Sequence, residues 1–132
     1  MSRKYYPSDM DKVVMEELSA YYDLCVQDIQ EAQQEAAKWA VKELKSKSPV
    51  GQGKKSGTYA KGWRIDRTLM RTGARTTVHN KDRYMLVHLL EYGHAKISGG
   101  RTAPQPHVDP TESATNARYE ENLKRMLEND AR

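Results

Sequence analysis

The sequence has 132 residues, 37% hydrophobic and 30% charged, which is enough for one modest core under a highly charged surface. It contains no Phe, so its eight Tyr, two Trp and six Met must fill the large core positions. A single cysteine, Cys25, excludes an intrachain disulfide and a thiolate-rich metal site. The apolar runs are too short to span a membrane, so we expect the chain to be made and kept in a reducing cytoplasm, unless it leaves inside a larger particle.

The net charge of +4 is divided unevenly along the chain. Residues 42–83 hold twelve Lys and Arg against three acids, a net charge of +9, whereas the flanks hold ten basic and fifteen acidic residues, a net charge of −5. A basic middle between acidic flanks indicates either a polyanionic partner or contacts between copies through opposite charges. The alternative is a solvated strand surface that binds nothing.

The first predicted element is a long helix. Residues 1–7 are polar and predict a loose terminus. From Met10 to Leu44, apolar residues recur every third or fourth position, which predicts one amphipathic helix roughly 55 Å long. Such a helix exceeds the diameter of a compact domain of this size, so it must bend, break or project. Residues 45–57, rich in Gly, Pro and Lys, predict a mobile basic loop.

Two strands are predicted next. Residues 58–69 alternate between apolar and polar, which is typical of a half-buried strand. The residues on the apolar side are Tyr59, Trp63, Ile65 and Leu69. Residues 75–80 predict a second strand, and the turn signal Thr72-Gly73 between them predicts an antiparallel pair packed on the long helix.

Residues 84–92 return to helical spacing, with a buried strand as the alternative interpretation because short apolar runs are ambiguous. Gly93 is a typical residue at a helix C-terminus, and we expect it to adopt a left-handed backbone conformation. An extended loop over residues 97–105 follows, with Gly99 and Gly100 at its tip.

A closing helix completes the chain. Asp109 is predicted as its N-cap, Pro110 as its first residue and Glu112 as the capping-box acid. The predicted inner face consists of Ala114, Ala117, Leu123, Met126 and Leu127. The sequence therefore predicts an α+β fold in one domain, residues 1–132: a long N-terminal helix on a small antiparallel sheet, a short helix, a Gly/Pro loop and a C-terminal helix.

Residues 88–110 are the most distinctive stretch, because they concentrate three of the four histidines with several glycines and prolines. His88, Glu91 and His94 are spaced three apart, and with His107 they offer the ligand types of a zinc site. Gly93 is expected to end the helix before His94, however, so we predict no metal and no cofactor. Instead, His88 and His107 should bond backbone groups, and Glu91 should accept a loop N–H or pair with Arg101.

No nucleophile elbow, paired carboxylates or Cys/His arrangement accompanies this stretch, so an enzyme is not predicted. A metal-dependent hydrolase using the His and Glu residues remains the weaker alternative. A second alternative is a nonspecific DNA-binding module that uses the basic segment 42–83 with Tyr59 and Trp63.

The order of residues in 88–110 resembles the tail-component, or tail-completion, proteins of long-tailed bacteriophages and prophages. The matching residues are His88, Leu89, Leu90, Glu91, Gly93, His94, Ala95, Gly99, Gly100, Arg101, Pro106, His107, Val108 and Pro110. Pro49, Val50 and Gly53, followed by Tyr59, Gly62 and Trp63, are similar to the family's loop and strand. Thr111, where the family usually has Ala, and the longer loop at 55–57 depart from the pattern.

This resemblance implies a non-enzymatic structural protein of the virion neck, in a multi-copy ring where the DNA-filled head meets the tail. Its partners would be its own copies, the head–tail connector, and the tail-terminator and tail-tube proteins, with contact to packaged DNA as a further possibility and no membrane. Ring interfaces join two different faces of neighbouring copies. The charge pattern offers Arg64, Arg67 and Arg71 as the basic side of such an interface, and Glu16, Glu17 and Asp23 as the acidic side.

Overall fold

The computed structural model describes residues 9–51, 56–71 and 73–130. Its elements are α1 (Met10–Lys47), α2 (Thr58–Lys61), β1 (Trp63–Met70), β2 (Gly73–Asn80), α3 (Leu86–Tyr92) and α4 (Val108–Asp130). The α+β prediction is confirmed. The expected loose terminus at 1–7, and residues 52–55 of the expected basic loop, lie outside the described residues.

Helix α1 runs unbroken for 38 residues, about 57 Å at 1.5 Å per residue. It continues to Lys47, three residues into the predicted loop, because the first helix-breaking residue is Pro49. A stripe of four alanines and one leucine is buried in its second half: Ala32, Ala36, Ala37, Ala40 and Leu44. Residues 9–24, by contrast, are exposed apart from the half-buried Val13, so the first half projects beyond the packed part; we call residues 9–24 the arm.

The predicted first strand is wrong over its first residues. Residues 58–61 form the single helical turn α2, which is bounded by Gly57 at φ +82° and by Gly62. The Lys61 N–H donates to the Gly57 carbonyl at 3.0 Å. The pattern was misleading because Tyr59 and Trp63 lie four residues apart, a spacing that serves one face of a helical turn as well as alternate positions of a strand.

Strands β1 and β2 pair antiparallel, from Trp63 opposite Asn80 to Met70 opposite Gly73. The predicted burial of β1 is wrong beyond Trp63, because Ile65 and Leu69 are 36% and 74% exposed. Small residues of α1 lie instead against Thr76 and Val78 of β2. Beyond Trp63, the side chains of strand β1 therefore remain accessible.

The core lies where α1 ends and the hairpin begins. Leu44, Tyr59 and Trp63 are buried together, and the two rings meet edge to face with centroids 5.7 Å apart. Partly buried side chains of α1, β2, α3 and α4 complete the core: Val41, Val78, Val87, Leu90 and Val108. Tyr59 and Trp63 thus occupy positions that Phe fills in other cores, with their polar tips directed to partners described below.

Helix α4 packs against α1, but through a different face from the predicted one. Ala114 and Ala117 are exposed, whereas Thr111 is buried and Thr115 and Tyr119 are half-buried, so the inner face is rotated by about one residue. Leu123, Met126 and Leu127 are half-buried, as the prediction requires. The error has a physical cause: the Thr111 hydroxyl donates to the His107 carbonyl at 2.6 Å, which permits burial of a polar residue.

Candidate functional site

The distinctive segment 88–110 leads from α3 through a loop into α4, and Glu91 is its centre. The helical interpretation of this region is confirmed over Leu86–Tyr92, and the strand alternative is wrong. Glu91 is only 3% exposed, and its two oxygens accept the backbone N–H groups of His107 and Val108 at 2.9–3.0 Å. The Asp109 N–H adds a third donor at 3.0 Å.

Glu91 therefore caps α4 from a different helix. The first N–H groups of a helix lack partners within it and carry partial positive charge, so a buried carboxylate satisfies both needs. The predicted local cap is wrong: α4 begins at Val108, before Asp109. Pro110 lies within the first turn, where its missing N–H costs no intrahelical bond.

The protonation state of Glu91 follows from these contacts. Burial alone would raise the pKa of the carboxyl group. The three backbone donors outweigh burial, and together with nearby His107 they lower the pKa of Glu91 below its ordinary value. Glu91 is therefore an anion at neutral pH whose hydrogen-bonding capacity is used within the protein.

His107 links this cap to the core. It is 1% exposed, with Nδ1 at 2.7 Å from the Gln105 carbonyl oxygen and Nε2 at 2.6 Å from the Tyr59 hydroxyl. A carbonyl oxygen can only accept, so Nδ1 carries a proton; in the tautomer protonated at Nδ1 alone, Nε2 accepts from the Tyr59 hydroxyl. Burial, and secondarily the charge of Glu91, raise the pKa of Tyr59 to about 12, which keeps this donor protonated. We call Glu91, His107 and Tyr59 the clasp.

Further buried hydrogen bonds support the clasp. The Trp63 indole N–H donates to the Ser48 hydroxyl at 2.8 Å, and that hydroxyl donates to the Leu44 carbonyl. Asn80 donates to the Tyr59 carbonyl at 2.7 Å and accepts the Arg83 N–H at 2.8 Å. Sequence reasoning missed Ser48 and Asn80 as members of this network, because their partners are distant in the chain.

At Gly93 the backbone passes close to a later part of the same loop, at Thr102. The Gly93 φ of +76° and ψ of 169° lie in a region that only glycine adopts readily, so the expected positive φ is observed with a more extended ψ than a left-handed helix has. A Cβ at this position would lie 2.5 Å from the Thr102 carbonyl oxygen. Beyond Gly93, residues 94–102 form a small hairpin, with the Thr102 N–H donating to the His94 carbonyl at 2.8 Å.

Gly99 and Gly100 lie at the tip of this hairpin, where they were predicted. Both are exposed, and both have a positive φ. Arg101 donates to the Gly93 carbonyl at 3.3 Å, so it supports the loop and does not pair with Glu91. Pro106 is exposed immediately before the clasp.

The four predicted metal-ligand candidates are not brought together. His88 is exposed and stacks on Tyr92 with ring centroids 6.4 Å apart, whereas His94 Nδ1 bonds the Thr102 hydroxyl at 3.1 Å. Only Glu91 and His107 are neighbours, at 3.5 Å. Within residues 9–51, 56–71 and 73–130, no three His, Cys, Asp or Glu side chains are grouped as a metal site would need.

The interface candidates all lie on the surface. Arg64 donates to the carbonyls of Lys61 and Trp63 at 2.7 and 2.9 Å, and Arg67 donates to Gln30 at 3.3 Å. Arg71 is exposed beyond the end of β1. Three acidic candidates lie on the arm: Glu16, Glu17 and Asp23.

One prediction tests the clasp. Tyr59→Phe removes the hydroxyl that donates to His107 and leaves a buried acceptor without a partner. We expect the free energy of unfolding to fall by about 1–3 kcal/mol in urea titrations. Tyr84→Phe, at an exposed position, is the matched control and should have no effect. Equal unfolding midpoints for the Tyr59 variant and the wild-type chain would contradict this role.

The role of the clasp is structural, because its carboxylate, imidazole and phenol groups form hydrogen bonds with one another and with the backbone.

No helix within the described ranges is long and apolar enough to cross a membrane. Searches of curated proteins and of solved structures returned no match. A family model, the bacteriophage HK97-gp10-like tail component, matches residues 12–93, which is more than half of the chain and includes Glu91 and Gly93. The chain therefore belongs to the HK97-gp10-like family of bacteriophage tail-component proteins.

Proposed function

We propose that this chain is a non-enzymatic structural subunit of the virion neck that completes the tail and joins it to the DNA-filled head as a multi-copy ring. Membership of a tail-component family supports a structural role in the virion and contact with other tail proteins. The neighbours we propose are further copies of the chain, the head–tail connector, and the tail-terminator and tail-tube proteins.

The observation that carries this proposal is the amount of apolar surface that one copy leaves exposed. Seven large apolar side chains of the arm are 37–66% exposed: Met10, Val14, Met15, Leu18, Tyr21, Tyr22 and Leu24. Contiguous patches of this kind mark surfaces that bind other proteins. The rigid clasp supports the same role, because it fixes α3, the loop and α4 against the core.

Loss of the chain during phage growth tests the function directly. If the proposal is right, a nonsense mutation in its gene should leave DNA-filled heads and complete tails unjoined in the lysate, as seen by electron microscopy. Expression of the chain from a plasmid should restore joined particles. Normal virions that lack the chain would overturn the proposal.

Nonspecific contact with packaged DNA is a second candidate function, favoured by the hairpin. Arg64, Arg67, Arg71 and Arg75 are all exposed there. Such binding would rest on phosphate contacts and weaken steeply with salt. A filter-binding series between 50 and 200 mM salt, on the order of the range over which such contacts weaken, separates it from a purely protein-binding surface.

A further inference from the structure

The proposed ring does not by itself say which surfaces join neighbouring copies. The arm is one candidate surface, because of its exposed apolar residues and its charge. Its residues Met10, Val14, Leu18 and Tyr21 follow steps of four, four and three, so they form one apolar stripe along the helix. Glu17 borders this stripe, because it is three residues from Val14 and four from Tyr21. The whole arm carries five acids and one Lys, a net charge of −4.

Strand β1 presents the complementary pattern. Ile65, Arg67 and Leu69 alternate along the strand and therefore share one face, with the basic residue between two apolar ones. All three are exposed, and Arg67 also donates to Gln30 of its own α1 at 3.3 Å, a surface contact that docking would replace. We call these three residues the β1 strip. The hairpin as a whole, residues 63–80, holds four Arg and one Asp, a net charge of +3 with histidine neutral.

Resting on the proposed function, we infer that the arm of one copy docks on the β1 strip of the next copy. Apolar stripe would meet apolar strip, and Glu17 would lie beside Arg67, so burial supplies affinity and charge sets the register. The two surfaces differ, which makes the interface heterologous and allows a ring to close.

The size of the arm suits this contact. The four side chains of the stripe are each about half exposed, and at roughly 150 Å² each they give roughly 300 Å² of apolar surface. A standard interface buries about 800 Å² per partner, of which roughly 60% is apolar. The stripe therefore supplies more than half of the apolar share of one such interface, with the acids of the arm as the polar rim.

Mixing two inactive variants tests the inference. Leu18→Asp should disable the arm and Leu69→Asp should disable the strip; both positions are exposed, so the fold should be retained by circular dichroism. Each variant alone should sediment as a monomer under conditions in which the wild-type chain assembles. Their mixture should form a one-to-one dimer and stop there, because it contains one intact arm and one intact strip that can meet.

Two matched controls place the charge elsewhere on the same elements. Ser19→Asp lies on the arm away from the stripe, and Thr68→Asp lies on the opposite face of β1; both should assemble like the wild-type chain. Assembly of either test variant alone, or a mixture that stays monomeric, overturns the docking inference. The ring itself would survive that result if wild-type copies still assemble, whereas heads and tails that join without the chain would overturn the proposed function whatever the mixture does.

Discussion

Gly93→Val is expected to leave the chain largely unfolded or insoluble. The backbone at Gly93 has φ +76°, which a β-branched residue adopts only at a cost of about 1–3 kcal/mol. Its Cβ would also lie 2.5 Å from the Thr102 carbonyl oxygen and 3.4 Å from the Pro104 nitrogen. Both neighbours are backbone atoms, so relief requires the loop to separate, which adds about 1–3 kcal/mol. The sum, about 2–6 kcal/mol, reaches the lower end of the stability of a small domain, about 5–15 kcal/mol.

Gly99→Val is the matched control for this prediction. Gly99 also has a positive φ, +99°, but a Cβ there meets nothing within 4 Å. The control therefore carries the backbone strain without the contact. Soluble yield and thermal melting of the two variants measure the difference, and equal behaviour would show that the approach to Thr102 contributes nothing.

Glu91→Gln should be the most damaging of the nearly isosteric substitutions. The amide has one acceptor oxygen in place of two and brings N–H donors toward the N–H groups of His107 and Val108. Hydrogen bonds to a charged acceptor are worth about 1.5–3 kcal/mol each, so we expect the free energy of unfolding to fall by about 3 kcal/mol or more. Glu112→Gln, at the exposed acid of the predicted capping box, is the control and should change little.

The same carboxylate makes stability depend on pH. The pKa of Glu91 in the folded chain is lowered from its ordinary value of 4.5, so its contribution is fully present above that value. As the pH falls below 4.5 and through the lowered pKa, the contribution is lost. The gap in unfolding free energy between wild type and Glu91→Gln should therefore narrow in that acidic range. A gap that stays constant down to strongly acidic pH would contradict the assignment.

Local patterns in the sequence predicted the long elements well. The helix that the apolar spacing predicted from Met10 onward is confirmed, because a helix of 38 residues repeats that spacing many times. The antiparallel pairing of the two predicted strands is also confirmed, since the strands are neighbours in the sequence; Thr72 of the predicted turn lies outside the described residues. The four-residue helix α2 contains too few residues for a helix and a strand to be told apart by spacing.

The clasp could be predicted only in part. The density of Gly, Pro and His marked residues 88–110, and a loop N–H as the partner of Glu91 was among the expected alternatives. The N–H donors lie at the start of α4, however, and the predicted start of that helix, with Asp109 as N-cap and Pro110 as first residue, was too late in the chain. Tyr59 lies 48 residues from its partner His107, and no local signal connects them.

The projecting arm has a consequence for how order is distributed along α1. Apart from Tyr21, which lies near Asp130 at the end of α4, the arm stands largely alone. A helix of about 15 residues in that position is marginal in water, because most of its stability comes from its own backbone bonds. Amide hydrogens of the arm should therefore exchange with solvent far faster than those near Ala36 and Leu44. Assembly that covers the arm would have to supply the missing order, and this ordering cost lowers the affinity between free copies. If copies assemble through the arm as we propose, such a chain should remain dispersed when dilute and complete its folding where copies are concentrated.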